Sequence, residues 1–283
     1  MHAFSKSTKI GAVLCTISSY TLLSWIASPD LDSQGRNPKE IQSSLALGLP
    51  TPQQAQASHV HLISGFLTKS EIQRLLDFAQ EMKSTNQIGI VAKDGKGVAS
   101  SSYQSTVWTT SYLHTDHKFE EHLPQLKEKI RQSLIDVDKK HFHILKETDK
   151  DEELNVRTIE FHEYIPGGNL NEKLHYDAGS CVTIDICLED NYTGGNIIFP
   201  EIDGTTTVVS KSQFLPGDAA FFMSHKYHNV LPVESGNRKV LVAELWKGPK
   251  RACPHRCITT GECTYSLGRN QMERSREHLS ILG

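Results

Sequence analysis

The sequence has little excess of charge of either sign, no evident internal repeat and few long apolar runs. Its 30 basic and 33 acidic residues leave a net charge of -3, which gives no electrostatic basis for a nucleic-acid partner. No internal repeat is evident, and 37% of the 283 residues are apolar, which is enough for one large core with attachments. We therefore expect one main domain that does not bind nucleic acid.

The one long apolar run covers residues 10–27 and predicts a membrane attachment. Lys6 and Lys9 precede it, it holds no charged residue, and at about 1.5 Å per residue it is just long enough to cross a bilayer. A cleaved signal peptide is the alternative, but Trp25 stands where cleavage requires a small residue. Because the lysines favour the cytosolic side, both alternatives place the rest of the chain in the lumen. We expect a type II protein of the endoplasmic reticulum or Golgi membrane, with secretion as the alternative and an organellar transit peptide as a third option.

Composition divides the chain into four predicted segments. Residues 1–29 form the signal anchor or signal peptide, polar residues 30–57 a linker, residues 58–250 the main domain and residues 251–283 a cysteine-containing tail. In the tail, Cys253, Cys257 and Cys263 could form a disulfide, could combine with His255 in a zinc site, or could stay reduced.

His175 and Asp177, followed by His228 and then Arg238, carry the strongest chemical signal. If His175 and Asp177 close a β-strand, their spacing of two directs both side chains to one face. Two imidazoles and one carboxylate on one face of a metal leave the opposite positions open, which is typical of non-haem Fe(II) oxygenases. A structural zinc site would fill all four positions instead. His225 is a competing candidate for the distal ligand.

Alternating apolar and polar residues predict strands on both sides of the first pair. Over residues 155–165 and 181–188, each strand has one packing face and one face toward a pocket. The packing positions are Ile159, Phe161, Ile165, Val182, Ile184, Ile186 and Leu188, and the pocket positions are Glu160, His162, Tyr164, Thr183, Asp185 and Cys187.

Two helices are predicted before these strands, where they would cover the outer face of the sheet. The first spans residues 68–82, and Thr68 and Glu71 form its capping box. The second spans residues 119–139, where Pro124 is tolerated only near the start.

The main domain resembles the catalytic domain of the prolyl 4-hydroxylase branch of the 2-oxoglutarate- and Fe(II)-dependent dioxygenases, on six segments. These are Tyr-Ile-Pro-Gly-Gly-Asn-Leu at 164–170, the stretch 174–188 that begins Leu-His-Tyr-Asp-Ala-Gly-Ser, Gly-Gly-Asn-Ile-Ile-Phe at 194–199, Pro-Gly-Asp-Ala-Ala-Phe-Phe at 216–222, His-Asn-Val-Leu-Pro-Val-Glu-Ser-Gly-Asn-Arg at 228–238 and Leu-Val-Ala-Glu-Leu-Trp at 241–246. The resemblance implies a mainly β fold with flanking helices: a double-stranded β-helix, or jelly roll, covered by N-terminal helices. It also implies that His175, Asp177 and His228, rather than His225, ligate Fe(II).

The resemblance also implies which residues bind the cosubstrate. Arg238 would bind the distal carboxylate of 2-oxoglutarate with its forked guanidinium, and Tyr164 and Thr183 are the expected hydroxyl partners. Lys239, next along the strand, would face away.

Two residues depart from the family's pattern. Cys187 stands where relatives often carry a larger hydrogen-bonding side chain, and Asp185 places a carboxylate on the pocket face. We expect Asp185 either to contact the substrate or to pair with a nearby cation.

The activity that the resemblance implies is hydroxylation of a protein side chain, with O2 and 2-oxoglutarate converted to succinate and CO2, and with Fe(II) and L-ascorbate as cofactors. Peptidyl proline is the favoured acceptor, and peptidyl lysine is the alternative because residues 175–186 also resemble lysyl hydroxylases. A non-catalytic lumenal jelly-roll binding protein is the rival of another class, but it would be expected to lose a ligand or Arg238. A metal-assisted hydrolase would have no use for Arg238.

Overall fold

The computed structural model describes residues 48–93, 107–172, 174–257 and Tyr265. The predicted anchor at residues 10–27 and most of the tail lie outside this part of the chain, as do residues 95–105, whose glycines and serines predict a loop. Within it, no helix combines the length and the apolar character needed to cross a bilayer.

The α-helices of the described residues lie mainly before the large strands, as the sequence predicts. They are α1 Pro52–Gln56, α2 Lys69–Ser84, α3 Lys118–His122 and α4 Pro124–Val137. The capping box of α2 is confirmed, because the Thr68 side chain accepts from the Glu71 backbone N–H and the Glu71 side chain accepts from the Thr68 backbone. The second predicted helix is divided into α3 and α4 because Leu123, just before Pro124, leaves the helical conformation.

The strands form one large and two small antiparallel sheets. In chain order they are β1 His61–Ile63, β2 Gly89–Lys93, β3 Trp108–Tyr112, β4 Leu154–Tyr164, β5 Val182–Cys187, β6 Tyr192–Gly194, β7 Ile197–Pro200, β8 Thr206–Val209, β9 Ala219–Met223, β10 Asn229–Val230, β11 Val233–Gly236 and β12 Arg238–Lys247. The large sheet has the order β1-β9-β5-β12-β4-β3-β2, a second sheet has the order β10-β7-β8, and β11 pairs with β6.

This strand order is that of a jelly roll. The central strands β9, β5, β12 and β4 are neighbours in space but not in sequence, because the chain leaves the large sheet after β5 and after β9 to form the small sheets. The predicted fold class, mainly β with flanking helices in a jelly roll, is confirmed.

The two predicted strand faces are separated as expected. The apolar core that joins the large sheet to α2 and α4 contains Ile159 and Phe161 of β4 and the alternate residues Val182, Ile184 and Ile186 of β5. Ile165 is an exception: it is 43% exposed, because β4 ends one residue before it. The other face of the sheet lines a cavity.

Segments on both sides of the predicted domain limits, 58–250, also pack onto it. Before the domain, the carbonyl of Pro50 lies 2.6 Å from His225 Nδ1, and the carbonyl of Gln56 accepts from Lys226 Nζ at 2.8 Å. After it, the carbonyl of Ala252 accepts from the backbone of Asp116 at 2.8 Å. The packed body therefore extends in both directions.

Candidate active site

His175 and Asp177 lie in an irregular segment between β4 and β5, so the condition that they close a β-strand is not met. The backbone of this segment is instead bonded to the residues that carry the second histidine. Asp177 N donates to Ser224 O at 2.7 Å, and His228 N donates to His175 O at 3.0 Å. These bonds bring together side chains that are far apart in the sequence.

The structure places the three predicted ligands around one point. One possible ligand atom from each of His175, Asp177 and His228 lies within 4.8 Å of the other two. His175 Nε2 is 3.5 Å from Asp177 Oδ1, and His228 Nε2 is 3.8 Å from Asp177 Oδ2. A single first-row metal ion held at about 2 Å from each atom fits this arrangement. All three residues line the main cavity, so the remaining positions of an ion would open onto it.

Neighbouring groups orient each ligand. His228 Nδ1 is 3.0 Å from the carbonyl of Lys226, and His175 Nδ1 is 3.4 Å from a carboxylate oxygen of Glu172, so each ring directs Nε2 to the centre. The hydroxyl of Thr183 donates to Asp177 Oδ2 at 2.7 Å. Such partners fix the ring tautomers and the carboxylate rotamer before a metal binds.

The electrostatics favour the protonation states that a metal requires at His228 and Asp177 but not at His175, where burial lowers the pKa but hydrogen bonds to Asp177 and Glu172 outweigh it and raise the pKa. Burial lowers the pKa of His228 to about 4, so its imidazole is neutral at physiological pH. Burial alone would raise the pKa of Asp177, but the imidazoles of His228 and His175 outweigh it and hold the pKa well below its usual range. A neutral imidazole and an ionised carboxylate are the ligating forms.

His225 lies apart from this group. Its side chain is buried, with only 3% exposed. Its Nε2 accepts from Gly179 N at 3.1 Å, and its Nδ1 lies 2.6 Å from Pro50 O. Both ring nitrogens are therefore engaged in the protein framework.

The cavity has a volume of about 340 Å³ and runs between the large sheet and the ligand segment. One wall is aromatic: the rings of Trp108 and Tyr164 stack at 5.1 Å, and Tyr112 and Tyr176 also line the space. The predicted pocket positions Glu160, His162, Tyr164 and Asp185 all lie on its walls.

Arg238 is buried behind this wall, with 1% exposure. Its Nη2 lies 3.4 Å from Asp185 Oδ2, which confirms the expectation that Asp185 pairs with a cation. Among the described residues, its Nε and Nη1 have no hydrogen-bond partner, and neither has Asp185 Oδ1. Asp185 lines the cavity, whereas its partner Arg238 is not among the lining residues.

Two further predicted residues can be placed. The ring of Tyr164 lies 5.3 Å from the Arg238 guanidinium, opposite it in the register of β4 and β12. Thr183 is turned toward Asp177, as its hydrogen bond shows. Their roles toward a cosubstrate stay predictions. Lys239 faces the other side of the strand, where it is 3.9 Å from Glu189.

Sequence reasoning missed one ion pair on the cavity wall. Arg256, from the tail, donates to both carboxylate oxygens of Glu244 at 2.6 and 2.8 Å, and to Ala178 O at 2.9 Å. Both residues line the cavity. The only sequence signal was Glu244 itself, a charged residue inside the apolar strand β12.

No family model and no curated protein matches the chain. The chain does match solved structures. A prolyl 4-hydroxylase of Pseudomonas putida has 15% identity and a TM-score of 0.48, with 70% of this chain and 97% of that chain covered. An oxidoreductase of the 2OG-Fe(II) oxygenase family from Burkholderia pseudomallei has 12% identity and a TM-score of 0.48, with 76% and 92% covered.

A third similar structure is a prolyl hydroxylase from Trichoplax adhaerens, solved with a peptide fragment of the oxygen degradation domain of hypoxia inducible factor. It has 15% identity and a TM-score of 0.48, with 76% of this chain and 95% of that chain covered.

Proposed function

We propose that this protein is a 2-oxoglutarate- and Fe(II)-dependent dioxygenase that hydroxylates a peptidyl proline. The observation that carries the proposal is the convergence of His175, Asp177 and His228, which leaves one side of the centre open to the cavity. A two-histidine, one-carboxylate set with open positions is the ligand set of non-haem Fe(II) oxygenases. When bound, Fe(II) with 2-oxoglutarate and O2 would supply the oxidative chemistry, with succinate and CO2 as products and L-ascorbate as a supporting reductant.

The protein's own residues supply the binding sites. Arg238 is a buried guanidinium with two nitrogens that lack partners among the described residues, as a dicarboxylate requires. Thr183 holds the Asp177 carboxylate in place. The stacked rings of Trp108 and Tyr164 give the cavity a flat apolar wall that suits a pyrrolidine ring.

Peptidyl lysine is the second candidate acceptor. Glu160 and Glu172 place carboxylates on the cavity wall, where they could attract an ammonium group. Glu160 is already 3.3 Å from His162, and Glu172 is 3.4 Å from His175, so each is partly satisfied within the protein. Proline therefore remains the favoured acceptor.

The test is to incubate purified protein with Fe(II), 2-oxoglutarate, ascorbate and two peptide sets, one rich in proline and one containing lysine. Succinate release and the gain of one oxygen atom on a proline, read by mass spectrometry, are expected. Asp177→Ala is the matched control. An oxygen atom gained on lysine would show that lysine, and not proline, is the acceptor. Peptide cleavage without succinate release would indicate a hydrolase. Iron binding without any turnover would support the non-catalytic binding protein.

We also propose that residues 10–27 anchor the protein in the membrane of the endoplasmic reticulum or Golgi, with the domain in the lumen. The uncharged run and the preceding lysines support this topology. The protein is then expected to stay in the membrane pellet after alkaline carbonate extraction and to resist protease in intact microsomes. A soluble form with a new N-terminus near Ser28 would indicate signal cleavage and secretion, and digestion in intact microsomes would contradict the lumenal placement.

Asp185→Asn is expected to tighten 2-oxoglutarate binding by about 10-fold or more, because it removes the carboxylate that competes for Arg238. Burial raises the pKa of Asp185 although Arg238 opposes this shift. As the pH falls toward that raised pKa, protonation neutralises the competitor, so wild-type affinity should rise relative to Asp185→Asn. Calorimetry of the anaerobic iron-loaded protein measures both effects. Glu189→Gln, on the outer face, is the control. Unchanged or weaker 2-oxoglutarate binding by Asp185→Asn would show that Asp185 does not compete for Arg238.

A further inference from the structure

The segment after the last strand is locked onto the domain. Pro254 packs against Gly89, where a Cβ atom would come within 2.1 Å of the Pro254 carbonyl. Arg157 Nε donates to the carbonyl of Cys257, and Arg256 is bonded to Glu244 and Ala178. A short stretch without regular secondary structure is thus held at several points.

Three side chains with metal-binding atoms converge in this segment. One such atom from each of Cys253, His255 and Cys257 lies within 4.8 Å of the other two. Cys253 is 0% exposed and Cys257 is 1% exposed. The residues between them, Pro254 and Arg256, make the contacts with Gly89 and Glu244. Residues 253, 255 and 257 therefore form the cluster, and the residues between them contact the rest of the domain.

We propose that Cys253, His255 and Cys257 supply three of the ligands of a zinc-class divalent ion, with a fourth ligand completing its coordination, at a site separate from the His175, Asp177 and His228 centre. Two thiolates and an imidazole are ligands that select zinc, whereas the oxygen-containing catalytic set suits iron. A disulfide between Cys253 and Cys257 would give no role to the His255 ring nitrogen, which lies within 4.8 Å of both sulfur atoms. The ion fixes the backbone on both sides of Arg256, so Arg256 is a positioning residue whose place on Glu244 depends on the metal.

The site is tested by metal analysis of the full chain, purified under reducing conditions. Asp177→Ala empties the catalytic centre and is expected to retain one zinc per chain. Adding Cys257→Ser to Asp177→Ala should lose it, while Cys181→Ala, which removes another buried thiol, should keep it. Cobalt substitution should give thiolate-to-metal charge-transfer absorption that also depends on Cys257.

The measurement on Asp177→Ala, in which Cys253, His255 and Cys257 are unchanged, keeps the proposal falsifiable even if a cysteine variant does not fold. The proposal would be overturned if Asp177→Ala, supplied with zinc, contained no metal after purification. Non-reducing peptide mapping that finds Cys253 or Cys257 in a disulfide would also overturn it.

The positioning role has its own test. Chelation is expected to expose the bond after Arg256 to trypsin, and zinc is expected to restore the protection. If chelation removes the ion and the cleavage rate stays unchanged, Arg256 does not depend on the metal and this part of the proposal is wrong.

Discussion

Asp177→Ala is expected to abolish turnover and to remove iron from the purified protein. The carboxylate is the ligand that faces both imidazoles, and its loss leaves two neutral nitrogens for the ion. Removal of an outer partner typically costs 10–100-fold in metal affinity, so loss of a ligand should exceed about 100-fold. Iron content and succinate formation are the measurements.

Two comparisons sharpen this prediction. Thr183→Val removes only the hydroxyl that donates to Asp177 and should cost about 10–100-fold in iron affinity. His228→Ala should behave as Asp177→Ala does, whereas His225→Gln should lower stability but keep the iron, because both of its ring nitrogens are bonded within the protein. Iron retained in His228→Ala and lost in His225→Gln would reverse the ligand assignment.

Arg238→Ala is expected to raise the KM for 2-oxoglutarate by about 30-fold to several thousand-fold, with iron binding nearly intact. Truncation of one member of a buried charge pair commonly costs about 2–5 kcal/mol. Asp185 adds to the loss, because without Arg238 its buried carboxylate would face the cosubstrate as a like charge. Steady-state kinetics and iron analysis separate the two effects.

Arg238→Lys should recover part of this loss, since lysine keeps the charge but not the fork. Lys239→Ala is the matched control, because its side chain lies on the outer face near Glu189. A silent Arg238→Ala beside a damaging Lys239→Ala would mean that the pocket face of β12 is wrongly assigned.

The parts of the fold that the sequence predicted are those in which a local pattern has one structural solution. Alternation along β4 and β5 identified which side chains pack in the core and four of the six predicted cavity positions, and Thr68 with Glu71 marked the start of α2. Thr183 and Cys187 were also predicted on the cavity face but do not line the cavity, and Cys187 packs in a buried apolar cluster. Pro124 was recognised as a poor interior helix residue, but where the helix would divide depended on Leu123. Local patterns specify elements better than their boundaries.

The remaining features depend on contacts between distant residues. Asp177 is oriented by Thr183 and Ser224, the second of which lies 47 residues further along the chain, and no periodicity encodes such a bond. Arg256 reaches Glu244 because the tail turns back, which composition alone could not indicate. The pairing of Asp185 with Arg238 was foreseeable only as a choice between two roles, and the distance of 3.4 Å between Asp185 Oδ2 and Arg238 Nη2 resolved it.

The contacts of Lys226 have a consequence for how the catalytic part could be separated from its attachment. Its ammonium group is fully buried, and its partners are Glu201 and the carbonyl of Gln56. A protein that starts at Ser58 would lose that carbonyl and also the Pro50 carbonyl beside His225, each at a cost of about 1–3 kcal/mol.

Both losses fall within three residues of His228. Residues 50–56 are therefore not an exchangeable spacer: replacing them with a flexible tether of equal length, or cutting the chain there with a protease, should loosen the metal centre itself. Release of the domain from its N-terminal segment would leave it intact only if the break came before Pro50.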